Sequence, residues 1–330
     1  MPTIVPYTYE KKEEKIVQFT SLLKDMKVLI ATEKPFAAAA AKGIQEILEK
    51  NGHEVAKLEG YTDKADLLKA VADVNALIIR SDKVDAAVMD AAPELKIVVR
   101  AGAGYDNVDL AAATERNIVV MNTPGQNANA VAELVMGMLL YTIRMRFSGK
   151  SGTELKGKKL GLLGFGHVAQ HVGTLANGFG MDVYAYDAFG RRDNIDAAGL
   201  HYIESKEEMF AQCDIVSLHI PLKPETRGSI NASLFEVMPK NAILVNTARK
   251  EIINEDDLLK AMTERQDIKY ITDVQPDKHE EMSAFGDRYL TTPKKAGAQT
   301  AEANANAGFA AARQIADFFA TGNKRYQVNK

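Results

Sequence analysis

The chain has 330 residues, 46% of them hydrophobic, and sets 44 acidic against 41 basic side chains for a formal net charge of −3. That length suits two domains of ordinary size, and so even a charge balance excludes a general attraction to nucleic acid or to an anionic membrane surface. Cys213 is the only cysteine, which excludes an intramolecular disulfide and a cysteine-cluster metal site, and no metal is expected.

Residues 1–25 differ from the rest of the chain. Pro2, Pro6 and a lysine–glutamate cluster precede Met26, and the acidic residues argue against an organellar transit peptide, so the segment reads as an N-terminal extension. From Lys27 short β-rich runs alternate with helical stretches. Strands are expected over 27–32, 53–59, 76–81, 96–101 and 117–123, with helices between them such as 37–50 and 65–71. Strands separated by helices of this length form a parallel sheet with crossover connections. A long helix is expected next, over 129–146. The longest apolar stretch, 130–143, is broken by Glu133 and is too short for a bilayer; with no signal peptide, cytoplasmic residence is expected.

The segment from Lys158 to Asp187, KKLGLLGFGHVAQHVGTLANGFGMDVYAYD, carries the most information. An apolar run (160–163) meets Gly164, Gly166 and Ala169, then a helical stretch, then a second apolar run (183–186) ending on Asp187. Strand, tight glycine turn, helix, strand and acid are the elements of a dinucleotide-binding fingerprint. Gly164 permits the turn, and Gly166 lets the backbone approach a pyrophosphate without a Cβ in the way. Ala169 is small enough for the helix to pack on the strand, and the helix N-terminus presents unpaired N–H groups to the phosphates. Asp187 can accept hydrogen bonds from the adenosine ribose and would repel a 2′-phosphate, so NAD is expected rather than NADP. Arg191 and Arg192 lie just beyond, where they could hold such a phosphate, and read rather as solvated loop charges.

Further βα units come after Asp187, with strands over 215–220, 242–248, 269–274 and 289–294, and an alanine-rich helix over 301–320 ends the pattern. The fingerprint therefore sits mid-chain. This order predicts an α/β protein of two Rossmann-like parallel-sheet domains, a cofactor domain (127–296) inserted into a split first domain (26–126 and 297–330), with the active site in the cleft between them. Ligands of such sheets bind beyond the carboxyl ends of the strands. RAGAGYDN (100–107), TARK (247–250), DVQPD (273–277) and TPKK (292–295) all fall there.

These motifs, taken in order with MNTPGQNANAVAELVMGMLL (121–140), SLHIPLKPETRGSIN (217–231) and MPKNAILVNTARKE (238–251), resemble the D-isomer-specific 2-hydroxyacid dehydrogenases, in particular the short D-3-phosphoglycerate dehydrogenase branch. The resemblance spans 26–330. It implies a Rossmann-type cofactor domain inserted into a flavodoxin-like substrate domain, with a homodimer formed through the cofactor domain and chiefly its long helix. It implies NAD as cofactor and hydride transfer at C2 of a small phosphorylated hydroxy acid: oxidation of 3-phosphoglycerate to 3-phosphohydroxypyruvate, which feeds serine synthesis. Reduction of glyoxylate or hydroxypyruvate is the alternative, and an NAD(H)-sensing protein without catalysis is an alternative of another class. Long relatives carry a C-terminal serine-sensing module, for which no room is expected here.

The family arginine maps onto Arg249, whose planar fork suits the substrate carboxylate or C2 oxygen. Asp273 matches the acid that bonds the nicotinamide carboxamide. Asn127, His167, Val168, His219, Pro221, Thr247, Ala248 and Gly297 fall on the cofactor side, with Gly164, Gly166 and Asp187. The family histidine falls on Lys294, Lys295 being an alternative, and Lys278 stands where the partner glutamate is expected. Lysine can act as the acid when a keto acid is reduced. As a base it must be neutral, which burial and proximity to Arg249 are expected to favour. His279 is a rival acid/base. For the substrate, Arg80 and Ser81 end one strand and Arg100 the next, arginine forks being suited to phosphate, with Lys34 a weaker candidate. Ala101, Gly102, Ala103 and Gly104 come directly after, their backbone N–H groups matching the carboxylate-binding turn of the family.

Overall fold

A computed structural model describes residues 26–329, so the expected N-terminal extension lies outside the described residues. The described chain forms two compact units. One runs to Gln126 and resumes at Asn304; the other is Asn127–Ala303. The return was expected at 297. Gly297 instead donates its N–H to Asp273 Oδ2 at 2.7 Å, which ties the turn before the last helix to the second unit.

In the first unit, strands β1 (Lys27–Thr32), β2 (Glu54–Glu59), β3 (Ala76–Ile79), β4 (Ile97–Arg100) and β5 (Val119–Asn122) pair in parallel in the order β2-β1-β3-β4-β5. β1 and β3 are apolar on both faces and lie inside the sheet, whereas β2 alternates between half-buried and exposed residues at an edge. The resulting order, 2-1-3-4-5, is flavodoxin-like. Helix Ala38–Lys50 buries Ala40, Ala41, Ile44 and Leu48 at helical spacing. Its Gly43 makes room for Phe309 of helix Ala301–Thr321, a Cβ there meeting the ring at 2.6 Å. The β5 edge is covered by residues 327–329. Val328 N–H donates to the Val120 carbonyl, and the buried Asn329 side chain accepts from Val120 N–H and donates to the Ile118 carbonyl, as a further strand residue would.

In the second unit, β6 (Lys159–Leu163), β7 (Asp182–Tyr186), β8 (His201–Tyr202), β9 (Ile215–Leu218), β10 (Ile243–Asn246), β11 (Lys269–Thr272) and β12 (Tyr289–Thr291) are also all parallel. Their order, β12-β11-β10-β9-β6-β7-β8, reverses direction at β6, which makes the β6/β9 border the switch point where such sheets bind nucleotides.

Two expectations need correction. The predicted strands run too long at their carboxyl ends. β3, β9, β10, β11 and β12 stop before Arg80, His219, Thr247, Asp273 and Lys294, because these residues leave the ladder into the loops beyond the sheet. The helix expected to reach 146 ends at Ile143; Met145, Arg146 and Phe147 adopt φ of 52°, 55° and 55°, a left-handed run that no α-helix accommodates.

Candidate functional site

The glycine turn comes directly after β6. Gly164 has φ +90°, and a Cβ on it would meet the His219 carbonyl oxygen and Ile220 Cγ2 at 2.9 Å each, so this position needs glycine on two counts. Gly166 is the N-cap of helix His167–Gly178 and offers no side-chain cap, leaving the first N–H groups to another acceptor. A Cβ on Gly166 would enter open space, where a backbone can be approached closely. His167 is exposed at the first helical position, Val168 packs against the core beneath, and Ala169 is fully buried.

Asp187 follows directly on β7 with only 6% exposure. Its Oδ2 accepts the Phe165 N–H at 2.8 Å and its Oδ1 the Phe189 N–H at 2.9 Å, so the acid braces the glycine turn. Arg191 lies on the exposed loop as expected, but it is not free there. It donates from Nη1 to the Phe165 carbonyl at 3.1 Å and lies 3.8 Å from Asp187 through Nε. Arg192 pairs with Glu204 and stacks over Tyr202. After β9, His219 Nε2 is shielded from solvent without a hydrogen-bond partner among the described residues, and burial pushes the imidazole down to about 4. Pro221 opens the next loop, its carbonyl accepting from Thr226 Oγ1. Asn127 precedes helix Ala128–Ile143 without a side-chain cap bond.

The strand ends β10 and β11 bring a second group together. Asn246, fully buried, accepts the Ala248 N–H on Oδ1 and donates from Nδ2 to the Arg249 carbonyl, both at 3.0 Å, folding Thr247–Ala248–Arg249 into a tight turn. The Arg249 guanidinium donates to the Ala248 carbonyl at 2.9 Å. Asp273 is 1% exposed; Oδ2 accepts the Gly297 N–H, while Oδ1 is buried without a hydrogen-bond partner among the described residues. Burial raises the Asp273 pKa, and the Gly297 N–H, Lys295, the Ala296 N–H and Arg249 act against it. Glycine at 297 is what permits this contact, since a Cβ would lie 2.8 Å from Oδ2.

The lysines depart from expectation. Lys294 is exposed rather than buried, because it lies past the end of β12, and its carbonyl accepts from Thr292 Oγ1 at 2.8 Å. Lys295, not Lys294, is among the charges acting on Asp273. Lys278, in the place of the family glutamate, pairs with Asp256. His279 meets the Tyr289 hydroxyl through Nδ1 at 3.0 Å and lines a polar depression with Lys250, Gln275, Asp277, Glu280 and Glu281.

In the first unit, Arg80 is strongly engaged. Nη1 donates to the Lys34 and Pro35 carbonyls at 2.7 and 3.1 Å, Nη2 to Asn304 Oδ1 at 2.6 Å, and the fork lies over the Phe36 ring. Arg100 donates from Nε to the Arg80 carbonyl at 2.9 Å, and Gly102, at φ +151°, leaves the space its guanidinium fills. The Ala101 N–H donates to Ile79, the Gly102 N–H to Arg100, and the Ala103 carbonyl accepts from Asn122. Gly104 is the next residue of this turn, and Ser81 is exposed.

Sequence reasoning missed Asp82. It is 1% exposed and accepts the Glu33 N–H (2.6 Å), the Tyr61 hydroxyl (3.0 Å) and the Arg80 N–H (2.9 Å), tying the loops after β1 and β3 together. Its only signal was an acid directly after a predicted strand end. Asn246 was missed because it falls inside the strand expected over 242–248, where a polar side chain gave no separate signal.

The arrangement fits a dinucleotide: an uncapped helix N-terminus after a left-handed glycine, an acid at the next strand end, and an orphaned carboxylate oxygen at Asp273 able to accept an amide N–H. Comparison with known proteins agrees. Residues 140–294 match the family model described as D-isomer specific 2-hydroxyacid dehydrogenase, NAD binding domain. The crystal structure of NAD+-bound 3-phosphoglycerate dehydrogenase of Entamoeba histolytica is 47% identical, with a TM-score of 0.84, covering 93% of this chain and 99% of that one. D-3-phosphoglycerate dehydrogenase of Methanocaldococcus jannaschii is 36% identical over 290 residues, 82% of this chain and 54% of that protein. Hydroxypyruvate reductase of Thermotoga maritima is 38% identical over 222 residues, 63% of this chain and 71% of the reductase. The chain spans about half the length of the first curated relatives it matches, 54% of each. Its inner unit is an NAD-binding domain, and the chain belongs to the D-isomer specific 2-hydroxyacid dehydrogenase family.

Proposed function

We propose that the protein is an NAD-dependent D-3-phosphoglycerate dehydrogenase, oxidising 3-phosphoglycerate to 3-phosphohydroxypyruvate at the entry to serine synthesis. The observation that carries this reading is the 47% identity, over nearly the whole of both chains, to a 3-phosphoglycerate dehydrogenase. NAD bound to the inner unit supplies the hydride acceptor for C2. Asp273 Oδ1 takes the carboxamide N–H, and Asp187 takes the ribose hydroxyls on lone pairs not used by Phe165 and Phe189. Arg249 holds the substrate carboxylate or C2 oxygen, where negative charge gathers as the proton leaves. Lys294 takes that proton from the C2 hydroxyl in oxidation and returns it in reduction. Arg100 and Arg80 hold the phosphate. Within the turn the Ala101 and Gly102 N–H groups are spent on the Ile79 and Arg100 carbonyls, so Ala103 and Gly104 offer theirs to the carboxylate. A second copy of the chain covers the face of helix Ala128–Ile143.

One observation favours a second reading, reduction of unphosphorylated hydroxypyruvate or glyoxylate. Much of the Arg80 fork is spent on the Lys34 and Pro35 carbonyls and on Asn304, which leaves less of it for a phosphate. Steady-state reduction of 3-phosphohydroxypyruvate, hydroxypyruvate and glyoxylate separates the two. The first reading expects the phosphorylated acid to have the highest kcat/KM. It also expects Arg80→Ala to raise KM for that substrate roughly ten- to a hundredfold, as loss of a charge-assisted contact does, with little change for hydroxypyruvate. Preference for hydroxypyruvate, with equal effects of Arg80→Ala on both substrates, establishes the second reading.

A further inference from the structure

We propose that Arg191 is a positioning residue for the dinucleotide, holding the glycine turn in place from the loop after β7. The turn hangs on one residue. Phe165 lies between Gly164, at φ +90°, and Gly166, the N-cap whose φ and ψ are −83° and −171°. Its ring is buried, so its peptide groups can shift only by rotation of the flanking bonds. The Phe165 N–H is held by Asp187 Oδ2 at 2.8 Å. Its carbonyl is held by Arg191 Nη1 at 3.1 Å, with Gln170 Nε2 a weaker second donor at 3.4 Å. Arg191 Nε in turn faces Asp187 Oδ1 at 3.8 Å. Acid and base four residues apart thus grip the two ends of one residue, and the Gly164 N–H, donating to the Tyr186 carbonyl at 2.8 Å, makes a further stitch.

What this fixes is the direction of the donors aimed at the cofactor. The Phe165 carbonyl belongs to the same planar peptide as the Gly166 N–H, so a bond to one sets the orientation of the other. That peptide leads directly into the uncapped first turn of helix His167–Gly178, where the N–H groups suited to a pyrophosphate lie. A charged donor on the carbonyl also polarises the peptide and strengthens its N–H as a donor. The Arg191 side chain is 44% exposed and lies outside the core clusters, so its contribution falls on local orientation rather than on global stability.

The test separates ligands that carry the pyrophosphate from one that lacks it. NADH, ADP and adenosine are titrated onto the intact protein and its Arg191→Met and Arg191→Lys variants. For Arg191→Met we expect NADH and ADP to bind roughly five- to tenfold more weakly, the order of one charge-assisted hydrogen bond at a partly exposed site, with adenosine within about twofold. Arg191→Lys, which keeps a cationic donor, should recover part of the loss, and the melting temperature should move by no more than about 2 °C. Binding of NADH by Arg191→Met within about twofold of the parent overturns the proposal. So does an equal loss for adenosine and ADP, which would make Arg191 part of the adenosine site or of the general scaffold.

Discussion

At Asp273 a carboxylate with 1% exposure has one oxygen bonded to the Gly297 N–H and the other unpartnered among the described residues, an arrangement that costs stability unless a ligand completes it. Sequence pointed to Gly164, Gly166 and Asp187 through the spacing of the fingerprint, and to Asp273 and Arg249 through the family resemblance. It did not point to Asp82 or Asn246, nor to the backbone role of Arg191, because these side chains bond the backbone of segments that no local pattern links. Two predictions belong at this scale. Lys294→Met keeps the bulk and removes the proton carrier, so turnover should fall by about a hundredfold while NADH still binds. Lys295→Met and His279→Ala should retain most of it. Loss of turnover in Lys295→Met with activity kept in Lys294→Met would transfer the acid/base role to the lysine whose charge acts on Asp273. The second prediction concerns His219. Burial lowers its pKa to about 4 from 6.5, so between those values the unfolded chain binds more protons and stability rises with pH. Urea unfolding should show this slope flattened in His219→Asn by up to about 3 kcal/mol, with His53, lowered by burial as well, leaving a residual slope of the same sign. An unchanged pH profile in the variant would mean that His219 is not held neutral by the fold.

At the scale of elements, strands were legible because a parallel sheet covered on both faces needs continuous apolar runs, as in β1, β3 and β9. The two-residue strand β8 and the short helices, such as Arg192–Ala197 and His279–Ser283, have too few residues to show a period. Helix Ala128–Ile143 was legible as a helix but not in its end. Arg144 to Phe147 remain compatible with a helical pattern, and only the left-handed run after Ile143 stops it. The surface of this helix carries the proposed dimer. Glu133 and Gly137 are exposed, with Leu134, Leu140 and Tyr141 half-buried at helical spacing beside them. A Cβ on Gly137 would meet nothing within 4 Å, and Phe147, 69% exposed, rests edge-on against Tyr141. Gly137→Arg should therefore convert a dimer to a monomer in sedimentation velocity with helix content unchanged. A parent that sediments as a monomer, or a variant that stays dimeric, removes this face from the assembly.

At the scale of the whole molecule, the mid-chain fingerprint correctly implied one α/β unit inserted in another, since a glycine turn preceded by a full set of strands cannot begin the first sheet. The strand orders 2-1-3-4-5 and 12-11-10-9-6-7-8 were not readable, because parallel register depends on contacts between segments far apart in sequence. The chemistry proposed at C2 is tested by isotope transfer. With NAD and 3-phosphoglycerate carrying deuterium at C2, the NADH formed should contain the deuterium in equal amount to the 3-phosphohydroxypyruvate released, and D-glycerate should react with a kcat/KM at least about tenfold lower. Unlabelled NADH, or no NADH from 3-phosphoglycerate while hydroxypyruvate is readily reduced, would contradict it.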